Sequence, residues 1–94
     1  MASVKENAPL FLKRLTKALV DTLNGSGIQA RVLTEPVPTT KLYRVAVFSP
    51  QFEAMKHSER QSLAWRIAER TLSPDEQLRI SMILTLTDEE EKGK

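Results

Sequence analysis

The stretch YRVAVFSPQFEAMKHSERQSLAWRIAERTL, residues 43–72, decides the fold of this chain. It begins with a strand pattern in which Tyr43, Val45 and Val47 alternate with residues that include further apolar side chains. Apolar side chains on both faces are typical of a strand in the middle of a sheet. We therefore predict a central strand over residues 41–48.

A connection and a helix complete the stretch. The connection, residues 49–57, contains Phe52, and we expect this ring in the core because burying it contributes roughly 1.5–3 kcal/mol. Ser58 and Gln61 have the spacing of a capping box, which predicts that a helix begins at Ser58. Trp65 lies off the apolar stripe of this helix, and it either packs beneath the connection, which we expect, or is exposed. The stripe consists of Leu63, Ala64, Ile67, Ala68 and Thr71.

A longer amphipathic helix precedes the stretch. Asn7 can cap it, and Pro9 is tolerated in its first turn, where a backbone N–H would have no helical partner. Apolar residues then recur at three- and four-residue spacing, which predicts a helix over residues 8–23. Asn24–Gly25 should end this helix, since both residues accept the left-handed conformation of a C-terminal cap.

Two outer strands complete the predicted sheet. Alternation over residues 28–34 predicts a strand with one buried face, and residues 35–40, EPVPTT, form a loop because proline cannot donate to a ladder. We expect this strand to pair antiparallel with residues 41–48. Residues 78–87 alternate again, and a helix joins them to the central strand, so those two strands should be parallel.

The alternation also predicts which side chains of the last strand are buried. We expect Ile80, Met82, Leu84 and Leu86 to face the helices. Just before this strand, Ser73-Pro74-Asp75-Glu76 has the pattern of a capping box with proline at the first helical position, which predicts one helical turn. The opposite, open face of the sheet should display some of Arg31, Leu33, Arg44, Ala46, Arg79, Ser81 and Ile83.

These elements predict a two-layer α+β domain. Their order is helix, strand, strand, short helical turn, long helix, turn and strand, which places the helices on one face of a three-stranded mixed sheet. Residues 1–7 would be an N-terminal extension, and residues 8–87 the single domain. Residues 88–94, DEEEKGK, predict an acidic disordered tail, since like charges in series repel and bury nothing.

The composition of the 94 residues excludes several kinds of site. The chain has no cysteine, so disulfides, thiolate metal sites and cysteine nucleophiles are excluded. The formal net charge is +2, and the acidic tail leaves the rest of the chain basic. No apolar run approaches the roughly 18 residues of a membrane span and the N-terminus lacks a signal-peptide pattern, so we expect a cytoplasmic protein with no membrane partner.

Three segments together resemble the BolA family: VAVFSPQF at residues 45–52, RQSLAWRIA at residues 60–68 and RISMILTLT at residues 79–87. The resemblance implies a type II KH-like fold and, for many members, an iron-sulfur cluster shared with a monothiol glutaredoxin. The family often has a histidine early in the last strand, where this chain has Ser81. It often has a cysteine or histidine in the hairpin loop as well, and residues 35–40 contain neither. A serine hydroxyl is a poor ligand for iron compared with imidazole or thiolate.

The residues that could carry a function are basic. The chain lacks paired catalytic acids, an activated nucleophile and a glycine-rich phosphate loop, so we expect a non-enzymatic protein with no cofactor, metal site or small-molecule substrate. Our first hypothesis is a BolA-like regulatory or adaptor domain that binds a macromolecule, either protein or nucleic acid, through the second long helix and the connection before it. The expected binding residues are Lys56, His57, Arg60, Arg66 and Arg70 around this helix, and Arg44 and Arg79 on the strands.

Two other interpretations compete with this hypothesis. In one, the protein is a partner of a monothiol glutaredoxin in iron-sulfur handling, and the partner supplies the strong ligands. In the other, the cations belong to an ordinary solvated surface in which Glu59 and Glu69 are interspersed.

Overall fold

A three-stranded sheet and four helices form two layers in the computed structural model, which describes residues 9–92. The elements follow the predicted order, so the two-layer α+β architecture is confirmed. The strands are β1 (Arg31–Pro36), β2 (Tyr43–Phe48) and β3 (Ile80–Leu86). The helices are α1 (Leu10–Gly25), α2 (His57–Thr71), α3 (Pro74–Gln77) and α4 (Asp88–Lys92), and a 3₁₀ helix spans Pro50–Ala54. None of the helices within residues 9–92 has the length and apolar character needed to cross a membrane.

β2 is the central strand, as its two apolar faces predict. It pairs antiparallel with β1, from Arg31 opposite Phe48 to Pro36 opposite Tyr43. It pairs parallel with β3, which confirms the arrangement expected for two strands joined by a helix. β1 begins three residues later than its alternation predicts, and it includes Pro36, which is tolerated because β1 is an outer strand.

One extra residue in β3 changes which of its side chains face the helices. Tyr43 pairs with Ile80, whereas Arg44 pairs with Met82, so Ser81 forms a bulge. The Ser81 hydroxyl donates a hydrogen bond of 3.2 Å to the carbonyl oxygen of Tyr43. Because side chains alternate along a strand, the extra residue reverses the alternation beyond it.

The predicted buried face of β3 is therefore wrong beyond Ile80. Ile83 and Thr85 are 3% and 0% exposed, whereas Met82 and Leu84 are 43% and 37% exposed. Ile80 itself is buried as predicted. The alternation could not reveal the bulge, because apolar side chains occupy both faces of this strand.

The core lies between the helices and the inner face of the sheet. Val45 and Val47 of β2 are fully buried, and the burial predicted for Phe52 is confirmed, with 1% of the residue exposed. Leu63 and Trp65 of α2 are only partly buried, and both pack against this core. The buried residues of the two long helices are Phe11, Leu12, Leu15, Leu19 and Leu23 of α1, and Arg60, Ala64, Ile67 and Ala68 of α2.

The ends of α1 differ from the prediction. The expected cap Asn7 belongs to the extension, residues 1–7, which lies outside the described residues, and Pro9 directly precedes the helix. At the other end the left-handed residue is Gly27, with a φ of 82°, instead of Asn24–Gly25. Glycine adopts this conformation without a steric penalty, and it lets the Ile28 N–H donate to the Leu23 carbonyl oxygen over 2.8 Å.

α2 begins one residue before the predicted Ser58, and a different side chain caps it. The Glu59 carboxylate accepts a hydrogen bond of 2.9 Å from the Lys56 N–H. The predicted capping box of Ser58 and Gln61 is therefore wrong. The Gln61 amide instead donates to the carbonyl oxygen of Ile83 over 2.8 Å, which ties α2 to β3.

The two short helices confirm one prediction and correct another. In α3 the Ser73 N–H donates to the Glu76 carboxylate over 2.9 Å and the Glu76 N–H donates to the Ser73 hydroxyl over 3.2 Å, which is the predicted capping box. The predicted disorder of the acidic tail is wrong for Asp88–Lys92, which form α4. A second capping box begins α4, since Thr87 and Glu90 exchange hydrogen bonds of 2.9 and 3.0 Å. The last two residues of the tail lie outside the described residues.

Truncation of a single leucine tests this core. Leu15 is fully buried in α1, so Leu15→Ala should lower the free energy of unfolding by about 2–5 kcal/mol, measured by urea denaturation. Leu10 in the same helix is 72% exposed, so the matched change Leu10→Ala should alter it by less than about 0.5 kcal/mol. Equal effects of the two substitutions would show that α1 does not pack through the face described.

Candidate binding surface on the second long helix

Four of the predicted binding residues are exposed at the start of α2 and along its outer side. Arg66 and Arg70 lie one turn apart on the helix and therefore project from the same side. Lys56 and His57 lie at its N-terminal end, and all four residues are exposed. Among residues 9–92, none of these four side chains takes part in a hydrogen bond or an ion pair. The positive charges of Lys56, Arg66 and Arg70 are therefore directed to solvent, where an anionic partner can reach them.

Two shallow depressions adjoin Arg66. They share Ser62 and Arg66, and the lining of each also includes at least one partly buried apolar residue. Apolar surface next to an exposed arginine is the composition that macromolecular partners commonly contact. One depression, of about 480 Å³, is lined by Met55, Ser58, Glu59, Ser62, Leu63 and Arg66. The other, of about 370 Å³, is lined by Gln61, Ser62, Trp65, Arg66 and Glu69.

Two carboxylates lower the positive charge of this surface. Glu59 and Glu69 are both exposed on α2, and Glu59 is held by the Lys56 N–H at the start of the helix. The surface therefore has three permanent cations and two anions. Its attraction for a polyanion is weaker than the sequence predicted, since one expected cation, Arg60, lies elsewhere.

Arg60 is buried, which contradicts its predicted place on the binding surface. It is 7% exposed, and its guanidinium carbon lies 5.7 Å from the centroid of the Phe52 ring. Its Nη1 donates to the carbonyl oxygen of Thr85 over 3.3 Å and to the Glu90 carboxylate over 3.0 Å. Its Nε is buried with no hydrogen-bond partner within the described part of the chain. Arg60 is thus an internal connector between α2, β3 and α4.

The helical spacing explains the burial of Arg60. Arg60, Ala64 and Ile67 are separated by four and three residues, so Arg60 extends the stripe of α2 that faces the sheet. A long side chain at the end of such a stripe can bury its methylene groups and keep its charged end paired. The spacing was visible in the sequence, but we placed Arg60 on the outer side of the helix because it is charged.

The two predicted strand arginines lie away from α2 and are engaged in other contacts. Arg44 lies on the open face of the sheet, where its Nε contacts the Glu35 carboxylate at 3.1 Å. Arg79 precedes β3, its Nε donates to the Lys41 carbonyl oxygen over 3.2 Å, and its guanidinium carbon lies 5.3 Å from the centroid of the Phe11 ring. The seven predicted residues therefore occupy separate places: Arg66 and Arg70 lie on one side of α2, Lys56 and His57 lie at its start, and the other three lie elsewhere.

Hydrogen bonds to Glu90 fasten α4 to the body of the fold. The Thr87 N–H has the largest influence and lowers the pKa of Glu90, and the Arg60 guanidinium adds to this effect. At the same end of the sheet, Asp88 lies 3.8 Å from Arg31. The ionised form of Glu90 is therefore the one that the folded state favours.

The residues that the structure describes lack a cluster of the usual metal ligands. They contain no group of three or more histidine, cysteine, aspartate or glutamate residues that could hold a metal ion. Ser81, at the position where the BolA resemblance led us to expect a family histidine, donates to a backbone carbonyl instead. The glutaredoxin alternative stays a prediction, since the partner would supply the strong ligands.

Comparison with known proteins adds no relative. No family model, curated protein or solved structure matches the chain. The function must therefore be argued from the residues and their contacts.

The pKa of Glu90 provides a test of the buried arginine. Since the pKa is lower in the folded chain than in the unfolded one, the carboxylate stabilises the fold fully above the ordinary value of 4.5, and this contribution is lost as the pH falls through the lowered value. Replacing Arg60 with methionine should raise the pKa of Glu90 only part of the way, because the Thr87 N–H remains. A carboxyl titration by NMR measures it.

Glu89→Gln provides the control for this titration. Glu89 is exposed on the same helix, and its replacement removes a charge without removing a hydrogen bond to Glu90. It should shift the pKa of Glu90 less than Arg60→Met does. An unchanged pKa in folded Arg60→Met would show that Arg60 and Glu90 do not pair in solution.

Proposed function

We propose that this protein is a non-enzymatic regulatory or adaptor domain that binds a macromolecule through the outer side of α2 and the connection before it. The observation that carries the proposal is the set of exposed cations Lys56, Arg66 and Arg70, none of which is neutralised by a contact within residues 9–92. The apolar side chains beside Arg66 add contact area that a partner could cover.

The order of the elements supports the BolA part of the proposal. Helix, hairpin, short helix, long helix and returning parallel strand form the arrangement that the resemblance implies. The segments that carry the resemblance have architectural roles here. Phe52 closes the core and Arg60 connects two layers. The resemblance therefore supports a shared fold, whereas the proposed function depends on the exposed residues of α2.

Nucleic acid is the partner that this surface favours. A phosphate backbone presents regularly spaced negative charges, and each phosphate that a cation neutralises releases counterions. Arg66 and Arg70 are about 6 Å apart along the helix axis, from the rise of four residues, which matches the spacing of successive phosphates in an extended strand. Trp65 directly precedes Arg66, lines the same depression and is partly exposed, so a base could stack on its ring.

Fluorescence anisotropy with labelled single-stranded and double-stranded oligonucleotides tests the proposal. Binding should weaken steeply as the salt concentration rises. The double variant Arg66→Gln, Arg70→Gln should weaken binding and reduce the slope of log affinity against log salt by about 1.4–1.8, since each lost phosphate contact accounts for roughly 0.7–0.9.

Lys13→Gln, Lys17→Gln is the matched control, because it removes the same charge from α1. It should leave the slope nearly unchanged if the contacts are local to α2. Equal losses in both double variants would indicate a general effect of net charge. Binding that is absent at high micromolar protein or independent of salt would contradict a nucleic-acid partner and leave an acidic protein surface as the candidate.

A further inference from the structure

Within residues 9–92, the outer edge of β1 has backbone hydrogen-bonding groups that pair with no other strand. The Val37 N–H donates to the Leu42 carbonyl oxygen over 2.9 Å, one residue beyond the pairing of Pro36 with Tyr43. Hydrogen-bonded pairs alternate along an antiparallel ladder, so the odd-numbered residues of β1 direct their backbone groups toward β2. Val32 and Thr34 therefore direct their N–H and carbonyl groups away from the sheet, as a strand edge does.

A groove of about 400 Å³ runs along this edge. Val32 and Leu33 both line it although neighbouring side chains point to opposite faces of a strand, so the exposed backbone edge between them must form part of the wall. The groove thus occupies the position that a fourth strand would take. It is lined by Leu12, Lys13, Thr16 and Lys17 of α1, and by Val32, Leu33 and Thr34 of β1.

Two lysines give the groove a positive rim on the helical side. Lys13 and Lys17 are exposed and lie one turn apart on α1, about 6 Å along its axis. Lys17 contacts Asp21 at 3.0 Å, but both side chains remain largely exposed, and such surface pairs are weak and readily exchanged. Alternate side chains of an extended chain are about 6.8 Å apart, so two acidic residues at that spacing match the two ammonium groups.

We propose that the edge of β1 binds an extended acidic peptide by strand addition, at a site separate from α2. The peptide backbone pairs with the N–H and carbonyl groups of Val32 and Thr34. The peptide residues opposite these two lie on the same face as α1, where glutamate or aspartate side chains reach Lys13 and Lys17. The intervening peptide side chains lie on the open face beside Leu33, which is 42% exposed, and are therefore apolar.

The charge of the rim favours a peptide over a second copy of this chain. Pairing of β1 with its own copy would place the two α1 helices on the same face, with Lys13 and Lys17 of each directed toward the other. Like charges at such a distance repel. A peptide strand that carries acidic side chains on this face would instead be attracted by the same lysines.

The probe is a fluorescein-labelled peptide in which glutamate and valine alternate over six residues. Anisotropy at low salt should show saturable binding. A peptide of the same sequence with alternate backbone nitrogens methylated keeps its charges but loses the N–H donors that pair with the Val32 and Thr34 carbonyl oxygens. It should therefore bind at least about tenfold more weakly, as expected for the loss of about two hydrogen bonds.

Two protein variants test the two halves of the site. Thr34→Pro removes an outward N–H and no bond to β2, so the fold should be kept and peptide binding should fall about tenfold, whereas Thr34→Ala should bind as the unaltered protein does. Lys13→Ala, Lys17→Ala should weaken binding and flatten its salt dependence, and Arg66→Ala, Arg70→Ala should not.

These experiments distinguish strand addition from simple charge attraction and from dimerisation even if a variant does not fold. If Thr34→Pro does not fold, the comparison of the plain and methylated peptides on the unaltered protein decides. Equal binding of the two peptides would overturn strand addition and leave only charge attraction. No peptide binding together with a concentration-dependent dimer by analytical ultracentrifugation would overturn the proposal in favour of a second copy.

Discussion

The bulge at Ser81 is the constraint on which the two layers depend. β2 and β3 are parallel, so the chain must cross from one end of the sheet to the other, and α2 makes this crossing over the inner face. The extra residue in β3 turns Ile83 and Thr85 toward α2, where they meet the same layer as Val45 and Val47. Without it, Met82 and Leu84 would face the helices and Thr85 would face solvent.

The packing of α2 over the sheet gives its arginines two different roles. Arg60 lies over the inner face and bonds to the backbone of β3 and to the half-exposed Glu90 carboxylate of α4, and a buried charge needs such partners. Arg66 and Arg70 lie on the outer side and have no such contacts within residues 9–92. Arg60 therefore has a structural role, and recognition is left to the exposed residues. The edge of β1, on the other side of the domain's sheet from β3, offers a second and chemically different surface.

Much of the fold could be predicted from the sequence, and the reasons are local. Helical and two-residue periodicities placed the long helices and three strands, and the helix between β2 and β3 implied their parallel pairing. The bulge could not be predicted, because Met82, Ile83 and Leu84 are all apolar and a period of two does not mark an extra residue. Gly27 is the left-handed residue at the end of α1 instead of Asn24–Gly25, since several residues in that turn accept the required conformation.

For the candidate site, the positions of Arg66 and Arg70 away from the apolar stripe correctly predicted that both are exposed. Arg60 was placed wrongly, because the prediction gave more weight to its charge than to its spacing from Ala64 and Ile67. Lys13 and Lys17 were not predicted as binding residues, because only the structure shows that they lie beside the edge of β1.

Single-cysteine labelling tests the central claim about β3 most directly. The chain contains no cysteine, so Met82→Cys, Ile83→Cys, Leu84→Cys and Thr85→Cys each introduce one thiol whose reaction with a maleimide reports its exposure. Circular dichroism first establishes that each variant is folded. Thiols at 82 and 84 should react rapidly, and those at 83 and 85 only through transient opening of the fold. The reverse pattern, with fast reaction at 83 and 85 and protection at 82 and 84, would contradict the bulge and the placement of α2 that follows from it.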